Sequence, residues 1–431
     1  MYHGVQREVV ALHERSSRWR PVERKRWALA RAVGAGSLAL PEDLAAAFGI
    51  MDGAEVYVEE VADGLLLRRP VTDLAKVYVE PTNRCNLSCR TCMRSSWDEP
   101  LGLMPPHVWE RVLAGIGAAP RPPLVFFGGM GEPLLHPEVA TMIGEAKASG
   151  ARAEMITNAT LLEPAELDRL ADAGLDMLWV SLDGATPESY ADVRPGAVLP
   201  QVLEHLEALA RRSQPCPDLG VSFVAMRRNI RDLPRIAQLA ERLGARRLVV
   251  TNVVPHTAEM AREMLSTWAQ ADPPFPDALQ VDLPRLDAND ATWQPLYELL
   301  RQFPNPRLGG APLDGARNRC PFVDSGALAI RWDGAVSPCL PLLHDHTVFL
   351  GHYERRSRHF SLGNVSSEDL QAIWLSPDYV SLRRRLQRFD YAPCASCGGC
   401  HLAETNEEDC YGNGAPACGG CPWAQGVIQC P

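Results

Sequence analysis

The chain has 431 residues, 46% of them hydrophobic, and a formal net charge of -10. That length exceeds one ordinary domain, the apolar share is that of a globular chain, and the negative charge argues against a nucleic-acid partner. No apolar run approaches the ~20 residues of a membrane-spanning helix, and the opening residues lack the apolar stretch of a secretory signal; a cytoplasmic protein with no membrane partner is expected.

Residues 1–33 carry Arg15, Arg18, Arg20, Arg24, Lys25 and Arg26 and read as a basic helical segment with a solvated face. A docking surface for an acidic partner or nucleic acid is the alternative. Residues 34–72 read as a small β unit: a short strand, a brief helix after Leu40-Pro41, a turn at Met51-Asp52-Gly53, and strands Ala54–Glu59 and Gly64–Arg69 joined through Asp63-Gly64. The pattern resembles the swapped-hairpin (AbrB-like) barrels, often dimeric DNA binders; without a basic strand face, a docking role or a homodimer through this unit stands beside DNA binding.

Over residues 73–255 the texture becomes strands alternating with helices. Strand-like runs fall at Val77–Glu80, Leu124–Phe127, Ala153–Ile156, Met177–Leu182, Gly220–Ala225 and Arg247–Thr251. Helical patterns lie near Pro106–Ala118, Pro137–Ala148, Pro164–Ala173, Leu199–Arg211 and Asp232–Leu243. This predicts an α/β fold, a parallel sheet forming an open, partial (β/α)6 TIM-like barrel with its active residues at the strands' C-terminal ends. Residues 256–318, rich in Pro, Asp and Ala with one helix near Trp293–Gln302, read as a bridge. Residues 319–431 begin with a hairpin, Ala327–Trp332 and Ala335–Pro338, and helices near Ser367–Trp374 and Tyr379–Arg388. The Cys/Gly-rich stretch after Pro393 has little apolar matter to pack, so bound metal is expected to organise it.

The chain has 13 cysteines, and in a cytosolic protein clustered cysteines point to metal ligation before disulfides. Three lie at the end of the first strand, in Cys85-x3-Cys89-x2-Cys92. Three thiolates can hold three corners of a [4Fe–4S] cluster and leave one iron open for an exchangeable group, as catalytic metal sites require. Structural zinc, which uses four ligands in two paired motifs, is the alternative. Cys216, alone between prolines, reads as an incidental thiol.

This spacing, with the loops that follow, resembles the radical S-adenosylmethionine (SAM) superfamily. The second strand leads into Gly128-Gly129-Met130-Gly131-Glu132-Pro133, the third into Thr157-Asn158, the fourth into Ser181-Leu182-Asp183, and the sixth into Asn252-Val253. The resemblance implies that Glu132 and the glycine loop meet the SAM amino group. It places Thr157, Asn158, Ser181 and Asp183 against the methionine and ribose, Arg194 against the carboxylate, and Asn252 and Val253 against adenine. It also implies reductive cleavage of SAM to a 5′-deoxyadenosyl radical that takes a hydrogen atom from the substrate. Thr91 stands where many members have an aromatic residue.

Cys320, Gly334 and Cys339, followed by Cys394, Cys397, Cys400, Cys410, Cys418, Cys421 and Cys430, resemble the SPASM extension of that superfamily. Its nine thiols suffice for two auxiliary [4Fe–4S] clusters. Cys320, Cys339 and Cys410 are assigned to one and Cys394, Cys397 and Cys400 to the other, with Cys418, Cys421 and Cys430 unassigned. A zinc knuckle is the alternative.

The run Met93-Arg94-Ser95-Ser96-Trp97-Asp98-Glu99-Pro100 and the segment Cys421–Pro431 resemble the maturases of tungsten–pterin aldehyde ferredoxin oxidoreductases. That implies a host enzyme or pterin cofactor as substrate and a low-potential donor such as ferredoxin or flavodoxin. Trp97, Asp98 and Glu99 either line the substrate entrance or form a loop packed on the barrel. A peptide- or protein-modifying maturase is the rival reading, and an iron–sulfur transcriptional regulator is the non-enzymatic one.

Overall fold

The computed structural model describes residues 31–34, 37–61, 64–212, 217–265, 282–283, 295, 307–308, 311–312, 318–350, 353–395 and 400–431. The basic segment before residue 31, nearly all of the helix expected near Trp293–Gln302, and Cys216 and Cys397 lie outside the described residues. The chain divides into two compact units between Ala54 and Glu55.

In the first unit β1 (Arg31–Gly34) pairs antiparallel with β2 (Ser37–Ala39), and α1 (Glu42–Ala47) follows Pro41 at its N-cap. Glu42 and Asp43 in its first turn suit the positive end of the helix dipole. The second unit opens with the hairpin β3 (Val58–Val61) and β4 (Gly64–Leu67), in register Val58↔Leu67. The division therefore falls inside the segment read as one β unit from sequence.

Strands β5 (Lys76–Val79), β6 (Leu124–Phe127), β7 (Arg152–Thr157), β8 (Met177–Ser181), β9 (Asp218–Ala225) and β10 (Arg247–Asn252) lie side by side in chain order, all parallel. Helices α2 (Pro106–Gly117), α3 (Val139–Ala148), α4 (Pro164–Asp172), α5 (Pro187–Val193), α6 (Leu199–Arg211) and α7 (Leu233–Arg242) connect them. All but α3 carry proline in the first turn, where its missing N–H costs nothing. Helix α5 was not anticipated; Thr186 and Ser189 close a reciprocal capping box at its start.

The strands' alternation divides two apolar cores. Val77, Val79, Val125, Phe127, Met155, Val180, Val221 and Phe223 pack with helix residues such as Val112, Ile116, Ile143, Leu170 and Leu206. Tyr78, Phe126, Met177 and Trp179 form a second core with Phe322, Ala327, Ala329, Trp423 and Ile428 from the last third of the chain.

After α8 (Ala258–Glu263) come the short strands β11 (Asp282–Leu283), β12 (Arg307–Leu308) and β13 (Ala311–Pro312), which form their own sheet, and α9 (Pro321–Asp324). The hairpin expected in the extension, β14 (Ala327–Ile330) and β15 (Ala335–Ser337), instead continues the barrel sheet. β14 pairs in parallel with β5 (Ala327↔Lys76 to Ile330↔Val79), and β15 pairs with β14. All four residues of β14 are buried, as a strand covered on both faces requires. A second hairpin, β16 (His346–Leu350) and β17 (Tyr353–Ser357), was not foreseen. β18 (Gly363–Asn364) pairs with β15 and ends the nine-stranded sheet among the described residues; α10 (Leu370–Trp374) and α11 (Pro377–Arg388) complete the packing.

The C-terminal segment shows how far this sheet curls. Asn252 of β10 donates to the Val427 carbonyl at 2.8 Å, and the Gln429 N–H donates to Thr251 at 3.0 Å. Lys76 of β5 donates to the Pro431 carbonyl at 3.0 Å. In a flat sheet β10 and β5 stand about 24 Å apart, five strand spacings, with Thr251 and Lys76 farther apart still at opposite ends of their strands, whereas residues 429 to 431 with both side chains reach about 24 Å fully extended. The run of six is therefore bent into a partial barrel whose ends this segment joins.

Candidate functional site

The C-terminal ends of β5 to β8 carry the loops that build the site. After β5, Thr82 Oγ1 donates to the Gly102 carbonyl (2.6 Å), while Asn83 donates to the Pro100 carbonyl and accepts from the Gly102 N–H. These bonds fix Cys85–Cys92 over the barrel mouth. The Cys92 N–H donates to the Cys89 carbonyl, so the last two cysteines share one turn.

Each of two sulfurs meets a polar side chain, one just after β7 and one at the C-terminal end of α5. Asn158 Nδ2 stands 3.9 Å from Cys85 Sγ, and Arg194 Nη1 stands 3.8 Å from Cys89 Sγ. Burial pushes the Cys89 thiol up to about 11 against the pull of Arg194, and burial raises Cys92 against Arg94. Ligation must displace those protons, and the nearby cations favour the thiolates that result.

Arg194 is itself held by Asp183, whose Oδ2 accepts from Nε (2.8 Å) and Nη2 (2.7 Å). Asp183 Oδ1 accepts from the Val224 N–H at 2.7 Å, so one carboxylate oxygen is anchored to β9 while the other aims Arg194. Ser181 is half-buried at the end of β8.

The glycine loop lies directly on the cysteine loop. A Cβ on Gly131 would stand 2.2 Å from the Thr82 carbonyl oxygen and 2.6 Å from that of Arg84, so only glycine allows this approach. Gly128 continues the β5–β6 ladder through its N–H to the Val79 carbonyl, and Gly129 has φ +134. Glu132, before the turn Pro133–Leu135, is fully buried, and its carboxylate accepts from Thr157 Oγ1 (2.7 Å), the Asn158 N–H (2.8 Å) and the Leu134 N–H (3.2 Å). Burial raises its pKa against those three donors. Glu132 thus ties β6 to β7 and orients Asn158, leaving one acceptor site of about four for a ligand.

Glu132, Thr157, Asn158, Asp183 and Arg194 therefore come together around Cys85, Cys89 and Cys92. Asn252 and Val253 are engaged elsewhere: Asn252 binds the Val427 carbonyl, and Val253 is buried with Val193, Met226 and Met260. Trp97 and Glu99 pack on His344 and do not form an open entrance; the ring centroids of Trp97 and His344 are 3.9 Å apart and Glu99 Oε2 lies 2.6 Å from His344 Nδ1. Sequence reading missed Glu80 and His344, which are separated by 264 residues and carry no spacing signal.

A second group of sulfurs lines a chamber in the extension. Cys320, Cys339, Cys418 and Cys421 face it with His346, Arg355, Trp423 and apolar side chains. Burial pushes Cys320 up to about 12 and raises Cys339, Cys418 and Cys421, with the thiols reinforcing one another. Cys410 is exposed and does not line the chamber, which corrects its assignment beside Cys320 and Cys339: Cys418 and Cys421 take that place. Cys430 lies near Cys421 and Lys76, Cys394 is buried, and Cys400 is exposed.

Both donor sets suit iron–sulfur clusters: soft thiols alone, three at the barrel mouth and four in the chamber. Among the described residues no three His, Cys, Asp or Glu side chains converge closely enough to hold a single ion. Ligands of a cubane stand on separate irons and need no such convergence. No helix of the described residues is long and apolar enough to cross a membrane.

Comparison with known proteins places both regions in known families. Residues 79–240 match the Radical SAM superfamily and residues 320–401 match the SPASM iron–sulfur cluster-binding domain. The chain is 29% identical over 363 residues to a tungsten-containing aldehyde ferredoxin oxidoreductase cofactor-modifying protein of Pyrococcus furiosus, covering 82% of this chain and 96% of that protein. It is 27% identical over 341 residues to the PqqA peptide cyclase of Ruegeria pomeroyi, covering 75% and 81%. Its fold is similar to that of Streptococcus suis SuiB bound to S-adenosylmethionine, with TM-score 0.50, 15% identity and coverage of 77% and 72%. For anSMEcpe with bound AdoMet the TM-score is 0.50 at 14% identity, covering 82% and 92%. The chain belongs to the radical SAM superfamily, as an enzyme whose barrel carries a SPASM iron–sulfur extension.

Proposed function

We propose that this enzyme matures a tungsten–pterin oxidoreductase, acting on the host protein or its cofactor. The observation that carries the reading is the similarity to the Pyrococcus furiosus cofactor-modifying protein along 96% of that protein's length and 82% of this chain.

Cys85, Cys89 and Cys92 would hold the SAM-cleaving cluster, and Cys320, Cys339, Cys418 and Cys421 an auxiliary one. Cys394, Cys397, Cys400, Cys410 and Cys430 remain for a second auxiliary cluster. When bound, the reduced cluster and SAM supply one-electron chemistry that ends in hydrogen abstraction from the substrate. The chain's own side chains orient the cosubstrate. Arg194, aimed by Asp183, presents a cation for its carboxylate; Asn158 and Glu132 set polar groups beside Cys85; Gly128 to Pro133 shape the rim, with Thr157 and Ser181 at the strand ends. Asn252 and Val253 close the far side through their backbone.

A low-potential ferredoxin or flavodoxin would deliver electrons in the cytoplasm. A homodimer would use the exposed Val58, Leu65 and Leu67 of the β3–β4 hairpin. The likeness to a peptide cyclase favours a second reading, a peptide-modifying maturase.

The test is anaerobic incubation of the reconstituted enzyme with SAM, dithionite and each substrate class. 5′-Deoxyadenosine formation stimulated by the tungsten oxidoreductase, with a mass change on its cofactor or chain, is the expected result. Stimulation by a Cys-rich peptide alone would select the second reading, and no 5′-deoxyadenosine at all would overturn both.

A further inference from the structure

Glu80, immediately after β5, has no exposed surface, and its carboxylate serves two partners. Oε1 accepts the Met130 N–H of the glycine loop at 2.9 Å. His344 Nε2 stands 2.9 Å from Oε2 and 3.1 Å from Oε1. His344 comes from the turn before β16, in the extension, and is also fully buried. Its other nitrogen meets Glu99 Oε2 at 2.6 Å, and Glu99 Oε1 accepts the Asp345 N–H at 2.9 Å. Arg331 approaches Glu99 at 3.6 Å but is bonded to Asp333.

Both ring nitrogens face carboxylate oxygen, so the imidazole bridges Glu99 and Glu80. The contact with the glycine loop has no slack, because a Cβ on Gly129 would lie 2.7 Å from Glu80 Cγ and 2.8 Å from Oε1.

We propose that His344 is a positioning residue for SAM: clamped between Glu99 and Glu80, it fixes the carboxylate that holds Met130, and so lets the extension set the shape of the Gly128–Pro133 loop. The proposal rests on the reading of that loop as part of the SAM site. It makes the extension a structural partner of SAM binding by a route of three side chains, separate from the chain connection and from any cluster.

The test uses the full chain with its clusters reconstituted. His344→Gln is expected to weaken SAM binding about tenfold, the scale of one lost hydrogen bond to a charged group. The rise in KM for SAM should exceed any fall in kcat for uncoupled SAM cleavage. Glu99→Gln, at the partly exposed end of the route, should cost about threefold and covers the case in which His344→Gln does not fold. The double variant Glu80→Gln/His344→Gln should bind SAM no worse than Glu80→Gln, because both act along one path. Amide exchange of Gly128–Pro133 should accelerate in His344→Gln while β14 and β16 keep their protection.

Additive losses in the double variant, unchanged SAM affinity in His344→Gln, or exchange rising equally across the extension would overturn the proposal and leave His344 a packing residue. If the wild-type enzyme binds no SAM, the site reading itself fails. The exchange comparison, which needs no SAM, still decides whether His344 positions the loop.

Discussion

The loop of Cys85, Cys89 and Cys92 surrounds its sulfurs with donors, whereas the chamber of Cys320, Cys339, Cys418 and Cys421 surrounds its sulfurs with hydrocarbon and with one another. At the barrel mouth Asn158, just after β7, and Arg194, at the end of α5, point at sulfur, and Arg194 is aimed by a buried aspartate. In the chamber Arg355 is present, but its guanidinium donates to the Ala403 and Ala417 carbonyls and serves the fold. A site with three thiols and aimed polar groups is built to admit a cosubstrate, and one with four enclosed thiols is built to complete its own ligation. Catalytic and structural metal sites differ by the same open position.

The strongest way to break this comparison is to remove one sulfur from each site. Cys89→Ala is expected to abolish 5′-deoxyadenosine formation and remove about four irons per chain, while thermal unfolding stays near wild type. Cys421→Ala is expected to remove a similar amount of iron but to lower the unfolding midpoint, with uncoupled SAM cleavage retained. Iron analysis, product chromatography and calorimetry read all three quantities, and equal loss of cleavage in both variants would erase the distinction.

Arg194→Gln sharpens the first site. It leaves Asp183, which has no exposed surface, without its cation, and a broken buried pair costs about 3–5 kcal/mol. Denaturant unfolding should show that loss, and Asp183→Asn added to Arg194→Gln should recover part of it.

The smallest effect concerns the wall of the second site. Burial holds His256 and His346 neutral, lowering each from 6.5 to about 4, with His346 also opposing the charging of His256, and His344 and Arg355 that of His346. The unfolded chain binds more protons between these values, so stability is full above pH 6.5 and falls as pH drops toward 4. The loss is of the order of 3 kcal/mol per ring by pH 4. A pH series of unfolding midpoints checks it; replacing His256 with Asn should flatten the acid limb.

The barrel strands were legible because the residues of β5 to β10 are apolar enough for a sheet covered on both faces, and their helices open on proline. The cysteine triplet and glycine loop were legible because each is a contiguous motif whose spacing is its chemistry. What escaped the sequence was pairing across distance. Ala327–Ile330 reads as a hairpin arm, and nothing local says that its free edge meets Lys76–Val79. The grouping of Cys418 and Cys421 with Cys320 and Cys339 depends on close approaches such as Gly419, where a Cβ would stand 1.8 Å from the Ala392 carbonyl oxygen. Glu80 reads as the last residue of a strand until His344 arrives from the far side.

The segment that joins β10 to β5 also imposes an order on assembly. Its contacts span 355 residues at Lys76 and 178 at Thr251, and such closures come late in folding. During synthesis the cover over Tyr78, Phe126 and Trp179 stays incomplete until Trp423 and Ile428 leave the ribosome, on the order of ten seconds or more after β10. A nascent barrel that must wait so long with aromatic surface open to water is a natural client for chaperones, and its exposure ends only when the auxiliary cysteines have also emerged.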